Sequence, residues 1–309
     1  MGTALGRLQS FMTALPAARL NWPFLALLIG GVAVGFSPIF VRLSDLAPIA
    51  SGFYRLALAL PALWILSRCT PGDARNDAAP TLRDWWLLIV TGLIFAADII
   101  FWHLALVTTT VVDATLIGTT TPILVALGAF FLFGERLKPL FMAGLACAIA
   151  GVCLLALQKS GADAAHRLLG DALAIGASLS YAAYLLLVAR LRQRHSTGRL
   201  VMYTTVVSAL TLLPIAWAFS PSLLPATAMG WAAVLGLALV SHVGGQSLLT
   251  YALAHLPAAY SSLTQFMQAA ISALAAWAIL GEPLTVLTIA SAAAILFGIA
   301  LCRRSGISS

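Results

Sequence analysis

Few side chains in this sequence can do chemistry, and most of those sit inside apolar runs. Asp98 lies midway along "IFAADIIFWHLAL" and is the acid set deepest in such a run. Arg55 follows Tyr54 in "ASGFYRLALALP". A charge at the centre of a lipid-crossing segment costs roughly 2.5–3.5 kcal/mol on insertion scales, so each needs a reason to be there. Asp98 has two candidate reasons. It could take up a proton in one state and release it in another, coupling a gradient to movement, or it could be tied to Arg55 or to a helix end for stability. Arg55 could grip a substrate carboxylate with its planar fork of donors, or snorkel along its own stem to the nearer interface.

Neutral polar residues form a second set. His242 and Gln246 are four apart, with Thr250 continuing the stripe, and Gln265 and Gln268 are three apart, so each set shares a helical face. Such residues either join helices or line a wet cavity. Tyr54, Trp102, Tyr181 and Tyr184 are the aromatics best placed to pack against a ligand, whereas Trp85, Trp86 and Trp231 stand near segment ends as interfacial anchors. His103 is five residues from Asp98 and therefore on a different face, which argues against a relay between them.

Other chemistry is missing from the pattern. There is no HExxH, GxSxG or phosphate-binding loop, so no catalytic residue and no cofactor is expected. Cys69, Cys147, Cys153 and Cys302 form no CxxC pair, which leaves neither a disulfide framework nor a metal site. The net charge of +7 is spread between apolar blocks and not along one basic, aromatic-laced face, so nucleic acid is not an expected partner.

The elements that carry these residues follow from composition. Apolar residues make up 61% of the 309 and charged residues only 9%, against about a quarter charged in a soluble domain. The apolar residues arrive in blocks of roughly twenty, the length that crosses a hydrocarbon core of about 30 Å. The approximate blocks are 22–42, 47–67, 85–107, 111–133, 138–157, 170–190, 199–218, 230–251, 258–280 and 284–302. Lipid offers the backbone no hydrogen-bond partners, so each must be a helix. The expected fold is an all-α polytopic membrane protein of ten transmembrane helices, with the first block a retained span and not a cleaved leader.

Cations orient the blocks. With the N-terminus in the cytoplasm, Arg42, Lys159 and Arg167 fall outside and Arg55 within a span, leaving the other thirteen of the 17 Lys and Arg on the cytoplasmic side. A bias of that size sets topology, with both termini cytoplasmic.

The chain also repeats. A shift of 147 residues lays Gly134-Glu135 on Gly281-Glu282 and Gly151 on Gly298. The repeat unit is then five helices, and an odd number inserts the second copy upside down, the architecture of secondary transporters. Each Gly-Glu pair stands in a hairpin, where glycine ends one helix and the carboxylate favours the positive N-terminus of the next. Glu135 and Glu282 are therefore hairpin residues first and gating candidates second.

The segments "GFSPIFVRL", "ASGFYRLALALP", "ATLIGTTTPILVALGAFFLFGERL", "GGQSLLTYALAHLPAAYSSL" and "LGEPL" resemble the EamA-type branch of the drug/metabolite transporter superfamily. The resemblance implies two five-helix repeats, at 22–157 and 170–302, joined by an outer linker at 158–169 and flanked by cytoplasmic tails at 1–21 and 303–309. It implies a carrier in the bacterial cytoplasmic (inner) membrane, linked to protons or another gradient, that exports amino acids or related small metabolites. It also implies that helices one to four and six to nine enclose a central cavity. Pro122 falls at the family's helix-four proline, but its counterpart in helix nine is Ala269, which makes the two gates chemically unequal. A carrier of drugs, cations or another metabolite is the alternative within the class. A passive channel or a membrane-embedded enzyme is the alternative outside it.

Overall fold

Apolar blocks without a polar stripe can satisfy their backbone only as helices, and helices joined by short non-helical links make up the described residues. The computed structural model describes residues 22–69, 80–133, 139–157, 164–192, 194–255 and 258–305. In the first half, α1 (Trp22–Gly35) breaks at Phe36 and resumes as α2 (Ser37–Leu43). A break at Leu58 and Ala59 likewise separates α3 (Pro48–Ala57) from α4 (Leu60–Cys69). Next come the long α5 (Leu82–Thr108), the short α6 (Val111–Gly118), α7 (Thr121–Phe133) and α8 (Pro139–Leu157).

The second half opens with α9 (Ala164–Leu191) and α10 (Thr197–Phe219). There α11 (Ala228–Leu235) passes through a π-helical segment, Gly236–Gln246, into α12 (Ser247–His255). Then α13 (Ala258–Ala275) ends in a π-helical turn, Ala276–Leu280, before α14 (Val286–Ser305).

Six stretches among the described residues are long and apolar enough to cross a membrane: Trp22–Leu43, Pro48–Arg68, Leu82–Thr108, Ala164–Leu191, Thr197–Phe219 and Ala228–Ala252. Val111–Val125, Met142–Gly151, Met267–Leu280 and Val286–Gly298 are shorter apolar helices. The outer surface matches a lipid solvent. Trp217, Phe219, Leu210 and Phe297 all stand exposed, where water would penalise them and acyl chains do not.

The two halves interleave. Helix α5 packs along α9 and α10, α1 lies against α12 and α13, and α8 pairs with α14. That last pair needs glycine. A Cβ at Gly298 would come within 2.5 Å of the Ala148 nitrogen and the Gly144 carbonyl, and one at Gly151 would meet Ser291 O at 2.9 Å. Small residues are what let membrane helices approach so closely, since packing replaces the hydrophobic drive between them.

Hydroxyls satisfy two of these breaks. Pro122 lacks an N–H, so the Gly118 carbonyl four residues earlier loses its usual donor. Thr121 Oγ1 donates to it at 2.8 Å, Thr120 to Ile117 O at 2.7 Å and Thr119 to Leu116 O at 2.6 Å. At the α1–α2 break, Ser272 donates to Gly35 O at 2.6 Å and Ser241 to Ala33 O at 3.0 Å. Neighbouring Ser and Thr side chains are what make broken helices tolerable away from water.

At the end of α13, Gly281 takes the left-handed conformation, φ 68°, as a residue closing a helix should. Glu282 departs from expectation. Its carboxylate does not serve the helix that follows, whose first turn is met by Thr285 Oγ1 accepting from Thr288 N at 3.0 Å. It crosses instead to α6 in the other half, accepting from Val111 N at 3.0 Å and Val112 N at 3.2 Å. The 281–285 segment is not helical, and it carries Glu282 beyond reach of its own helix start. Glu135 lies outside the described residues.

Candidate functional site

The helix breaks surround a cavity of about 90 Å³ midway along the long helices. Its charged wall comes from Arg55 on α3 and Asp98 on α5. Arg55 does not snorkel. It is only 5% exposed, and its guanidinium donates to Ser37 Oγ at 3.1 Å, the residue that opens α2 after the break. Its buried Nε finds no protein partner. Asp98 faces the same cavity and feels the Arg55 charge. The two do not close to ion-pair distance, yet each feels the other's charge.

The neutral wall joins both halves. Gln246 comes from the π-helical segment, Gln265 and Gln268 from α13, and Trp102 and Tyr181 from α5 and α9. Tyr181 stacks on Tyr184 with ring centroids 5.8 Å apart, Tyr184 on Phe95 at 4.7 Å, and Phe95 on His242 at 5.7 Å. This column fixes the roles of its members. Tyr181 and Phe95 reach the cavity, whereas Tyr184 and His242 are buried behind them. Gln246 sits beside both tyrosine hydroxyls.

Other candidates stand elsewhere. Tyr54 packs edge-on against Phe53 at 5.5 Å and Trp231 at 5.9 Å, joining α3 to α11 away from the cavity. Pro122 is the second residue of α7, beside the lining residue Thr121. His103 pairs with Ser51 Oγ at 2.9 Å and Pro48 O at 3.1 Å, turned from Asp98 as its spacing indicates.

Sequence reasoning passed over Ser37, Thr115, Thr121, Ser178 and Ser272, all of which line the cavity. A lone hydroxyl in an apolar helix bonds back to its own turn and carries no signal, as Thr115 does with Val111 O at 2.8 Å. The exception is the run "GTTTP" at 118–122, where three threonines before a proline mark a helix break.

Clusters of charge close the two ends of α5. At its start, Asp84 caps the helix with Thr81 and meets Arg194 at 3.3 Å. Beyond its end, Glu282 holds α6 and faces Arg42 at 3.7 Å, while Arg42 donates to Thr109 O at 2.6 Å.

An all-helical body with a lipid-facing surface and a polar, charged cavity at mid-length is the build of a membrane transport protein. The chain belongs to the EamA-like transporter family, whose pattern matches it twice, over residues 21–157 and 168–304. Among characterised proteins it is similar to the pseudopaline exporter CntI of Pseudomonas aeruginosa strain UCBPP-PA14. The two are 26% identical over 256 residues, 81% of this chain and 84% of the relative. The CntI of strain PAO1 matches with the same identity and coverage. A solved crystal structure, 19% identical, shares the fold with a TM-score of 0.63 over 90% of this chain and 97% of that one.

Proposed function

We propose that this protein is a secondary carrier that exports small polar metabolites, amino acids among them, across the bacterial cytoplasmic membrane by alternating access. The observation that carries this reading is the cavity itself: a buried arginine and an aspartate face one space at mid-membrane depth, walled by both halves of a chain that belongs to a transporter family. The names of the Pseudomonas relatives support the outward direction.

The reading includes ten spans in two inverted five-helix repeats, at 22–157 and 170–302, with both tails cytoplasmic. Two family matches of equal length support it. So do paired contacts between the halves. The loop after α2 reaches the start of α11, where Asp45 Oδ2 accepts from Thr227 N at 2.8 Å. The loop after α9 reaches the start of α5, where Arg194 meets Asp84. Inverted repeats suit a carrier because the same fold opens to either side at similar energy.

Asp98 is the group we assign to proton coupling. Counterflow in proteoliposomes tests the whole reading, because a carrier concentrates labelled solute against an unlabelled pool and a channel does not. A panel of amino acids, organic cations and other metabolites identifies the cargo. Asp98→Asn should make whatever exchange remains independent of the proton gradient, and an unchanged gradient dependence removes the coupling role. Transport of organic cations alone would favour the multidrug alternative, which the carboxylate of Asp98 beside Trp102 and Tyr181 also suits.

A further inference from the structure

We infer that the corner between α5 and α6 is the cavity's outer gate, held shut by a chain of alternating charge in which Arg42 and Glu282 are the middle members. The inference rests on the carrier reading, which supplies the outer side and the alternation of access.

Four groups at this corner attract one another in turn. Helix α5 ends at Thr108 with Thr109 as its cap, and a helix end carries partial negative charge on its unpaired carbonyls. Arg42, in the last turn of α2, donates to Thr109 O at 2.6 Å. Glu282 faces the Arg42 guanidinium at 3.7 Å. Its two oxygens take the N–H groups of Val111 and Val112 at the positive start of α6. Carbonyl, guanidinium, carboxylate and amide thus alternate in sign, and each middle member is stabilised on both sides. Glu282 is the member from the second half, so the corner cannot part from the 281–285 segment until this chain breaks. Helix α9 grips the same corner from another direction. There Thr109 Oγ1 donates to Asp171 Oδ1 at 3.0 Å, and Arg167 meets Asp113 at 3.5 Å.

The corner stands over the cavity. Thr115, one turn beyond Val111, lines it, and so does Ser178, which lies about 10 Å along α9 from Asp171. An apolar layer fills the space between. Val41, Leu106 and Val111 share one buried cluster with Leu237 and Ala276 of the second half, and Trp102 joins that cluster to the cavity wall. A solute leaving by this end must pass the apolar layer and then the charges. The charges are the releasable part. The side chains of Arg42 and Glu282 are 30% and 13% exposed, so water can replace each partner as the corner parts, at far less cost than for a pair sealed in the interior.

The test follows a thiol placed in the cavity. Ser178→Cys is made in a chain whose four native cysteines are serine, and right-side-out and inside-out membrane vesicles are treated with a membrane-impermeant anionic methanethiosulfonate. With the corner intact, the introduced thiol should react slowly from outside. Arg42→Gln and Glu282→Gln should each speed outside labelling about tenfold, the effect of weakening closure by one charge-assisted contact, and leave labelling from the cytoplasmic side no faster. Arg42→Lys keeps the charge and should stay close to the slow rate. Exchanging the charges, Arg42→Glu with Glu282→Arg, restores an ion pair but sets each member against the wrong helix end, so labelling should stay fast. Outside labelling that is already fast with the corner intact, or that neither glutamine variant moves, overturns the inference. So does acceleration from both sides, the mark of a loosened fold. A slow exchanged-charge variant overturns it too, because a bare ion pair would then suffice. The carrier reading fails separately, when counterflow detects no exchange of any solute in its panel.

Discussion

Glu282 and Val111 lie in opposite halves of the sequence, yet the carboxylate of one takes the N–H of the other at 3.0 Å. The second oxygen takes Val112 N–H at 3.2 Å, so both oxygens cap the first turn of α6. A carboxylate at a helix N-terminus gains from the unpaired N–H groups and from the aligned peptide dipoles. Glu282→Ala should therefore lower stability by about 1–2 kcal/mol. Thermal unfolding in nanodiscs measures this, and a variant as stable as the parent would show that the contact contributes nothing. A Glu282→Gln protein that is present at normal levels but inactive would mark the contact as a moving part of the cycle.

His242 makes a different case. Its Nε2 pairs with Thr205 Oγ1 at 2.8 Å, and its ring stacks on Phe95 instead of entering the cavity. His242→Phe preserves the stack and removes the hydrogen bond, with an expected loss of about 1–2 kcal/mol. The order in which ligands stabilise the variant should match the wild type. A changed order would move His242 into the binding site.

Gly298 tests the pairing of α8 with α14. Alanine there drives a methyl into the backbone around Ala148, and backbone cannot swing aside as a side chain does. We expect Gly298→Ala to destabilise the protein by about 1–3 kcal/mol. Gly151→Ala faces Ile295 and the Ser291 carbonyl across the same seam and should act in the same direction. Melting temperatures unchanged in both would mean the helices separate freely.

Asp45 gives the stability a pH dependence. Desolvation pushes its carboxyl up, but hydrogen bonds from the Thr227 side chain and from the backbone N–H groups of Thr227 and Ala226 together hold it below its ordinary 3.8. A carboxyl whose folded value is depressed adds stability that is complete above the unfolded value and fades as pH falls through the folded one. The advantage of the wild type over Asp45→Asn should thus be full above about pH 4 and shrink as the pH drops below that. Melting curves between pH 7 and pH 3 compare the two, and an advantage that does not vary with pH would rule out the mechanism.

Helices were the legible part, because lipid leaves an apolar block no alternative. The charged pair at the cavity was legible for the same reason: Arg55 and Asp98 are costly where they stand, and cost is visible in a sequence. Trp102, Tyr181, Gln246, Gln265 and Gln268 also reached the cavity wall. Their neighbours were harder to sort, because Tyr184 and His242 differ from Tyr181 only in which layer of one stack they occupy. Tyr54 reads the same as any ligand-facing aromatic until Trp231, far along the chain, packs against it. The destination of Glu282 was hidden for a related reason, since helix-end rules see only the nearest helix and its partner is 171 residues away.

The three threonines before Pro122 bear on motion. A bend in a lipid-bathed helix ordinarily strips backbone carbonyls of partners, and nothing outside can replace them. Here the chain carries its own lubricant. Hydroxyls at Thr119, Thr120 and Thr121 already hold the carbonyls of Leu116, Ile117 and Gly118. The carbonyls freed at the α6–α7 break thus keep their donors inside the chain itself, and the cavity wall crosses that break without a bare dipole.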